Sequence, residues 1–177
     1  MEFDTLLMER RSIRKYDSGK KVTKEQVEEV IKAAQMAPTW KNSQTGRYYV
    51  ALTEERLEEI RADILPSFNQ KSSAGAALIV TTFVKGIAGH TKGVADNELG
   101  DEWGAYDLGL QNAYLCLKAR DLGLDTLIMG LRDADKIREI FGVSSEEEIV
   151  SVIALGYRDG EAVFKERKPL EEILKIV

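Results

Sequence analysis

Hydrophobic and polar positions follow two different periods along this chain, which predicts a succession of helices and strands. From Thr23 to Pro38 the apolar residues recur every three to four positions, as on the buried face of a helix. Thr23 and Gln26 form a capping box at its start, and Pro38 ends it because the residue before a proline avoids helical geometry. The same pattern predicts a second helix from Thr53 to Asp63.

Short apolar segments without the helical period predict four strands. They are Tyr48–Leu52, Ala76–Val84, Leu124–Met129 and Glu148–Leu155. The second is apolar or β-branched throughout, as in a strand covered on both faces of its sheet. The remaining periodic or capped segments predict helices at Trp103–Leu122, closed by Gly123, at Asp133–Phe141, stopped by Gly142, and at Pro169–Ile176, opened by its proline.

The predicted order is α-α-β-α-β-α-β-α-β-α, with one helix before the first strand in addition to the five helical segments above. This order indicates helices packed on both sides of a central sheet and leaves the order of the strands open. Between Val84 and Glu102 the chain has four glycines and no period, so we expect a loop of about 19 residues, a length usually associated with function or disorder. Residues 157–168 form a polar connector to a last helix that the core does not need. We expect this appendage to reach a neighbouring subunit.

Composition narrows the class of protein. The residues are 44 % hydrophobic and 31 % charged, which is typical of a globular chain. Since a domain has roughly 150 residues, the length of 177 residues predicts one domain spanning 1–177. With one cysteine, Cys116, and one histidine, His90, we expect no disulfide and no metal site. The longest apolar run is Ala76–Val80, far short of the roughly 20 residues that span a bilayer. We therefore expect a cytoplasmic protein without a membrane partner.

The charge is unevenly distributed. The net charge is −5, yet the segment from Glu9 to Lys24 holds seven basic residues against two acidic ones. An acidic chain with one concentrated basic segment is not expected to bind nucleic acid, which needs a broad positive face. The segment fits one small anionic ligand, and an ordinary solvated face is equally compatible with the charge alone.

The basic segment contains the candidate chemistry, because the usual phosphate loops and nucleophile motifs are absent. It reads Arg10-Arg11-Ser12-Ile13-Arg14-Lys15-Tyr16. Guanidinium groups match phosphate oxygens, and in an extended segment alternate side chains point the same way. A second basic pair is Lys165 and Arg167, and residues 37–44 form a turn rich in amides and hydroxyls, either an ordinary turn or a set of donors for a heterocycle.

Three other residues are interpreted as structural. They are Asp107, a carboxylate on a helix face, Cys116, a buried core thiol, and Trp103, an aromatic packing residue.

These segments, in this order, resemble the nitroreductase family of FMN-dependent oxidoreductases. Two further motifs, Leu122–Thr126 with Gly130 and Leu155–Tyr157 with Lys165–Glu172, are similar to the family's later signatures, so the resemblance extends from Leu6 to Ile173. It implies an α+β fold, layered as in α/β proteins, with a central mixed or mainly antiparallel sheet flanked by helices. It also implies an intertwined homodimer in which residues 157–177 reach the partner subunit.

The resemblance implies a set of cofactor-binding residues and no residue that is catalytic by itself. Those matching the FMN phosphate and ribityl site are Arg10, Arg11, Ser12, Arg14, Lys165 and Arg167. Those matching a turn that the partner subunit places beside the flavin are Pro38, Thr39 and Trp40, followed by the amides Asn42 and Gln44. Those matching positions at the flavin ring are Asn69, Met129 and Gly130.

The implied activity is hydride transfer from NADH or NADPH through FMN to an electron-poor small molecule, such as a nitroaromatic or a quinone, by a ping-pong mechanism. The flavin carries the chemistry, which agrees with the missing triad. Thr45-Gly46 and the bulky Trp40-Lys41 depart from the family's pattern. Two alternatives stay open: a non-catalytic flavin-binding protein for storage or sensing, and a sister flavin chemistry such as dehalogenation.

Overall fold

The strands form one antiparallel sheet and one small hairpin. The computed structural model describes residues 2–177. Its strands are β1 (Gly46–Ala51), β2 (Ala77–Val84), β3 (His90–Thr91), β4 (Val94–Ala95), β5 (Asp125–Met129) and β6 (Glu147–Gly156). The sheet has the order β1-β2-β6-β5 and every neighbouring pair in it is antiparallel, which confirms the mainly antiparallel prediction. Strand β5 is therefore an edge strand.

The helices flank this sheet. They are α1 (Phe3–Glu9), α2 (Lys24–Gln35), α3 (Glu54–Ile64), α4 (Ser67–Ser73), α5 (Glu102–Asp121), α6 (Ala134–Phe141) and α7 (Leu170–Ile173). The predicted capping box of α2 is confirmed: the Gln26 N–H donates to Thr23 Oγ1 at 3.2 Å, and the Thr23 N–H donates to Gln26 Oε1 at 3.0 Å.

Three elements differ from the sequence-based prediction. Helix α4 was not predicted, because its seven residues contain a single large apolar side chain, Phe68, and that side chain is exposed. The predicted loop between Val84 and Glu102 contains the β3–β4 hairpin, whose two-residue strands are too short for a period. Helix α7 is shorter than the predicted Pro169–Ile176, because none of its residues is buried and packing does not stabilise a longer helix. Pro169 lies before the helix and has an extended backbone.

The core has two halves, one on each face of the sheet. Leu78 and Val80 of β2 pack with buried residues of α3 and α6, while Ala77 and Ile79 pack with buried residues of α2 and α5. This period-two alternation explains why every residue of β2 except the last, Val84, is buried. Cys116 belongs to the second half and is a buried free thiol, as predicted.

Candidate functional site

A cavity of about 460 Å³ lies between the N-terminal basic segment and the chain that follows β6. All six residues predicted for the phosphate site line it, namely Arg10, Arg11, Ser12, Arg14, Lys165 and Arg167. Lys15 and Arg158 are also in its wall, and the acidic side chains there are Asp159 and Glu161. The fold thus brings together the two basic segments at opposite ends of the sequence. We call this site the arginine cavity.

Backbone contacts fix the basic segment against the sheet. The Ile13 N–H donates to the Thr126 carbonyl at 3.0 Å, where Ser12 and Thr126 form a parallel bridge at the open edge of β5. Tyr16 pairs in antiparallel fashion with Arg158. Ile13 and Tyr16 are buried in the core, and Ser12 and Arg14 are exposed at the cavity. The predicted alternation does not extend beyond this pair, because Tyr16 is buried although it continues the same series, and Arg11 and Lys15 also line the cavity.

The electrostatics of the cavity favour an anion. Desolvation lowers the pKa of the Arg11 guanidinium, and the positive charges of three neighbouring arginines lower it further. Those arginines are Arg10, Arg158 and Arg167. The Arg11 guanidinium also lies over the Phe164 ring, 4.7 Å from its centroid. Since crowded guanidinium groups repel one another and each offers forked donors, their chemistry fits a phosphate group.

Arg158 is a cavity residue that sequence reasoning missed. Its Nε donates to Asp125 Oδ2 at 2.7 Å, and the same carboxylate oxygen accepts from Arg120 Nη1 at 2.8 Å. The signal in the sequence was an arginine directly after Gly156-Tyr157 and an aspartate at the start of a predicted strand. Neither residue type marks a site without knowledge that the two segments meet.

Residues 38–44, here called the Trp40 turn, do not line the arginine cavity of the same chain within residues 2–177. The turn places three non-glycine residues at positive φ: Lys41 at 47°, Asn42 at 56° and Gln44 at 50°. The Gln44 N–H donates to Thr39 Oγ1 at 3.2 Å. Backbone of this kind persists only where its surroundings hold it.

The Trp40 turn is held by contacts with α5 and with the β3–β4 hairpin and the residue that follows it. The Trp40 N–H donates to Asp107 Oδ2 at 2.8 Å. The Trp40 ring packs on Trp103 with centroids 4.5 Å apart, which confirms Trp103 as a packing residue. Lys41 Nζ donates to Asp96 Oδ2 at 2.9 Å, which links the turn to the segment after the β3–β4 hairpin.

Asp107 therefore has a larger role than the carboxylate on a helix face that the sequence indicated. Its side chain is buried, with the residue only 3 % exposed. Burial raises the pKa of the carboxyl group, and the hydrogen bond from the Trp40 backbone lowers it. The reason for the difference is tertiary: the Trp40 turn, 67 residues away in sequence, covers this face of α5.

The three residues predicted at the flavin ring meet near the end of β5. The buried Asn69 side chain of α4 donates from Nδ2 to the Leu131 carbonyl at 2.9 Å. Peptide groups alternate sides along a strand, and the Thr126 carbonyl faces the open edge of β5. Met129 is buried and pairs with Val152 of β6, and Gly130 directly follows it, beyond the last residue of β5.

No group of three His, Cys, Asp or Glu side chains in residues 2–177 is arranged to hold a metal ion. In the same part of the chain, no helix is both long enough and apolar enough to cross a membrane.

Known proteins resemble this chain over most of its length. The nitroreductase family model matches residues 7–157. The oxygen-insensitive NADPH nitroreductase of Helicobacter acinonychis is 27 % identical over 192 residues, covering 93 % of this chain and 91 % of the relative. YdgI of Bacillus subtilis, provisionally named an NAD(P)H nitroreductase, is 26 % identical over 203 residues, covering 97 % of this chain and 96 % of the relative.

A solved structure has the same fold. It is a protein from Exiguobacterium sibiricum in complex with FMN, with a TM-score of 0.83 and 24 % sequence identity, and the match covers 100 % of this chain and 98 % of that one.

Proposed function

Since the chain belongs to the nitroreductase family, we propose that it is an FMN-dependent oxidoreductase that uses NADH or NADPH. The observation that carries the proposal is the arginine cavity, where six residues predicted from two distant segments line one space of about 460 Å³. The FMN found in the Exiguobacterium sibiricum structure supports the identity of the cofactor.

The cavity fits the phosphate end of FMN. A phosphate monoester carries about −1.5 to −2 charges at pH 7 and three strong acceptor oxygens. Arg10, Arg11 and Arg14 supply forked donors on one side, Lys165 and Arg167 supply positive charge on the other, and Ser12 adds a neutral hydroxyl. A phosphate bound in the cavity would relieve the mutual repulsion of the arginines. Much of the binding energy of FMN would therefore come from its phosphate group.

The remaining residues would orient the flavin ring. We propose that the ring lies at the open edge of β5, where Gly130 follows the last residue that pairs with β6 and Asn69 is held against Leu131. Bound FMN would take a hydride from the nicotinamide and deliver reducing equivalents to an electron-poor acceptor, such as a nitroaromatic or a quinone, in a ping-pong cycle. In this proposal the protein binds the flavin, orients it and shields it from water, and no side chain acts as a catalytic acid or base.

We further propose that the functional unit is an intertwined homodimer. Large apolar side chains after residue 162 are exposed in the single chain, among them Phe164, Leu170 and Ile173. Exposed apolar side chains gathered in one segment are typical of a surface that another subunit covers. A partner that receives residues 157–177 could bring its own Trp40 turn to the ring, which accounts for the separation of that turn from the arginine cavity.

The test is an absorbance spectrum of the purified protein, recorded anaerobically after FMN loading and again after addition of NADH or NADPH. We expect flavin bands that are retained by the protein and bleach with at least one nicotinamide. A variant with Arg10→Ala and Arg14→Ala should retain little FMN, while a control with Lys24→Ala and Arg56→Ala, two exposed cations outside the cavity, should retain it fully.

The other outcomes separate the alternatives. Bound flavin that neither nicotinamide reduces would favour the storage or sensing protein. Turnover with a halogenated substrate and none with nitroaromatics or quinones would favour dehalogenation. Full FMN retention by the Arg10 and Arg14 variant would contradict the cavity assignment.

A further inference from the structure

We propose that Arg158 is an additional binding residue for the flavin phosphate and that the buried carboxylate of Asp125 is its positioning residue. The inference rests on the proposed function, because it names a contact within the same site. It concerns a residue that lies outside the motifs that resemble the family's phosphate site.

The backbone of Arg158 is fixed on both sides. Tyr16 bridges to it directly, and the Asp17 N–H donates to the Tyr157 carbonyl at 2.9 Å. On the other side the Asp159 N–H donates to the Lys15 carbonyl at 3.0 Å. These bonds tie Arg158 to the end of the basic segment, so its side chain starts in the wall of the arginine cavity.

The side chain is fixed as well. Its Nε donates to Asp125 Oδ2 at 2.7 Å, and the arginine side chain is only 25 % exposed. Because this contact engages Nε, the two terminal nitrogens of the guanidinium are left for a ligand in the cavity. A pre-oriented guanidinium loses less conformational freedom on binding than a mobile one.

Asp125 suits a positioning role. Its carboxylate is 1 % exposed and lies between the Arg120 and Arg158 guanidiniums at 2.8 and 2.7 Å. A buried carboxylate needs such partners, since an unpaired buried charge is strongly unfavourable. Arg120 has a second acidic partner, since Glu9 Oε2 lies 3.7 Å from its Nε. The positive charge of Arg158 extends to Arg11, whose pKa it helps to lower.

The competing interpretation is purely structural, with Arg158 only joining β5 to the chain after β6. If Arg158 binds the phosphate, its loss should weaken the binding of FMN and not that of riboflavin, which has no phosphate. If its role is purely structural, its loss should weaken both equally. We therefore compare the dissociation constants of FMN and riboflavin, measured by quenching of flavin fluorescence, for the wild type, Arg158→Gln and Asp125→Asn. Arg56→Gln, an exposed arginine outside the cavity, is the control.

We expect Arg158→Gln to weaken FMN binding by roughly tenfold, the scale of one charge-assisted hydrogen bond, and to leave riboflavin binding within twofold. Asp125→Asn should weaken FMN binding less and also leave riboflavin unchanged, since Arg158 keeps its charge and loses its orientation. The FMN affinity of Arg158→Gln should also fall less steeply with added salt than that of the wild type.

Equal losses for FMN and riboflavin would overturn the proposal in favour of the structural role. Unchanged FMN affinity in Arg158→Gln, with normal binding in the wild type, would overturn it while leaving the proposed function intact. A wild type that binds no FMN would overturn both. If Arg158→Gln does not fold, Arg158→Lys decides: one ammonium cannot serve Asp125 and phosphate together, so an FMN-specific loss is again required.

Discussion

Replacing Asp107 by alanine removes the acceptor that holds the Trp40 turn, and we expect both the turn and the stability of the chain to respond. In the native protein the Trp40 N–H donates to Asp107 Oδ2 at 2.8 Å in a buried setting. Asp107→Ala leaves this N–H without its partner, which costs about 1–3 kcal/mol of unfolding free energy. Asp107→Asn keeps an acceptor oxygen, so its cost should stay within about 1 kcal/mol.

The assay is urea unfolding together with circular dichroism of the tryptophan pair. With a denaturant slope of about 1–3 kcal/mol per molar, the Asp107→Ala midpoint should fall by roughly 1 M. The chain has two tryptophans, and their ring centroids lie 4.5 Å apart, so an exciton couplet between them reports on the contact of the Trp40 turn with Trp103. We expect Asp107→Ala to weaken that couplet and Asp107→Asn to retain it.

The pH dependence gives a second test of the same group. Burial raises the pKa of Asp107 in the folded chain, so the folded state binds a proton more readily than the unfolded state. The contribution of Asp107 to stability is therefore largest below its unfolded pKa and falls as pH rises through its folded pKa. The asparagine does not titrate, so the stability of the wild type relative to Asp107→Asn should increase on acidification. An Asp107→Ala variant as stable as the wild type, with an intact couplet, would refute the role assigned to this carboxylate.

Two further predictions test the helix cap and the exposed C-terminal segment. Thr23→Ala should lower the free energy of unfolding, measured by urea denaturation, by about 1 kcal/mol. Thr53→Ala, at an N-cap without a side-chain hydrogen bond, should change it little. Equal effects of the two substitutions would argue against the capping box. Leu170→Asp with Ile173→Asp should weaken self-association in sedimentation velocity and leave urea stability of the monomer unchanged, because α7 buries nothing in its own chain; an unchanged dimer would argue against this interface.

The capped helices and the apolar strands could be predicted from sequence because their signals act over a few residues. The capping box joins Thr23 to Gln26, and the buried positions of β2 follow directly from its continuous apolar run. The residues of the proposed phosphate site could also be selected from the sequence, by the basic composition of two segments and by the resemblance of the chain to the family. The structure places them along one cavity, and their role in binding a phosphate stays a prediction.

Helix α4 and the β3–β4 hairpin could not be predicted, because neither has an apolar period of useful length. The order β1-β2-β6-β5 was also beyond the sequence, since each apolar strand could pair with any other. Which strands become central depends on how the helices cover the two faces together.

What the sequence alone determined was therefore the kind of local element and the chemistry available to it. What only the tertiary structure decided was which distant residues meet: Asp125 with Arg158, 33 positions apart, and Asp107 with the Trp40 backbone, 67 positions apart. Local signals stabilise an element against its own unfolded segment. Pairings such as these form only when the packing of the whole core brings the two segments together, because their own interaction energy is too small to offset the loop entropy between them.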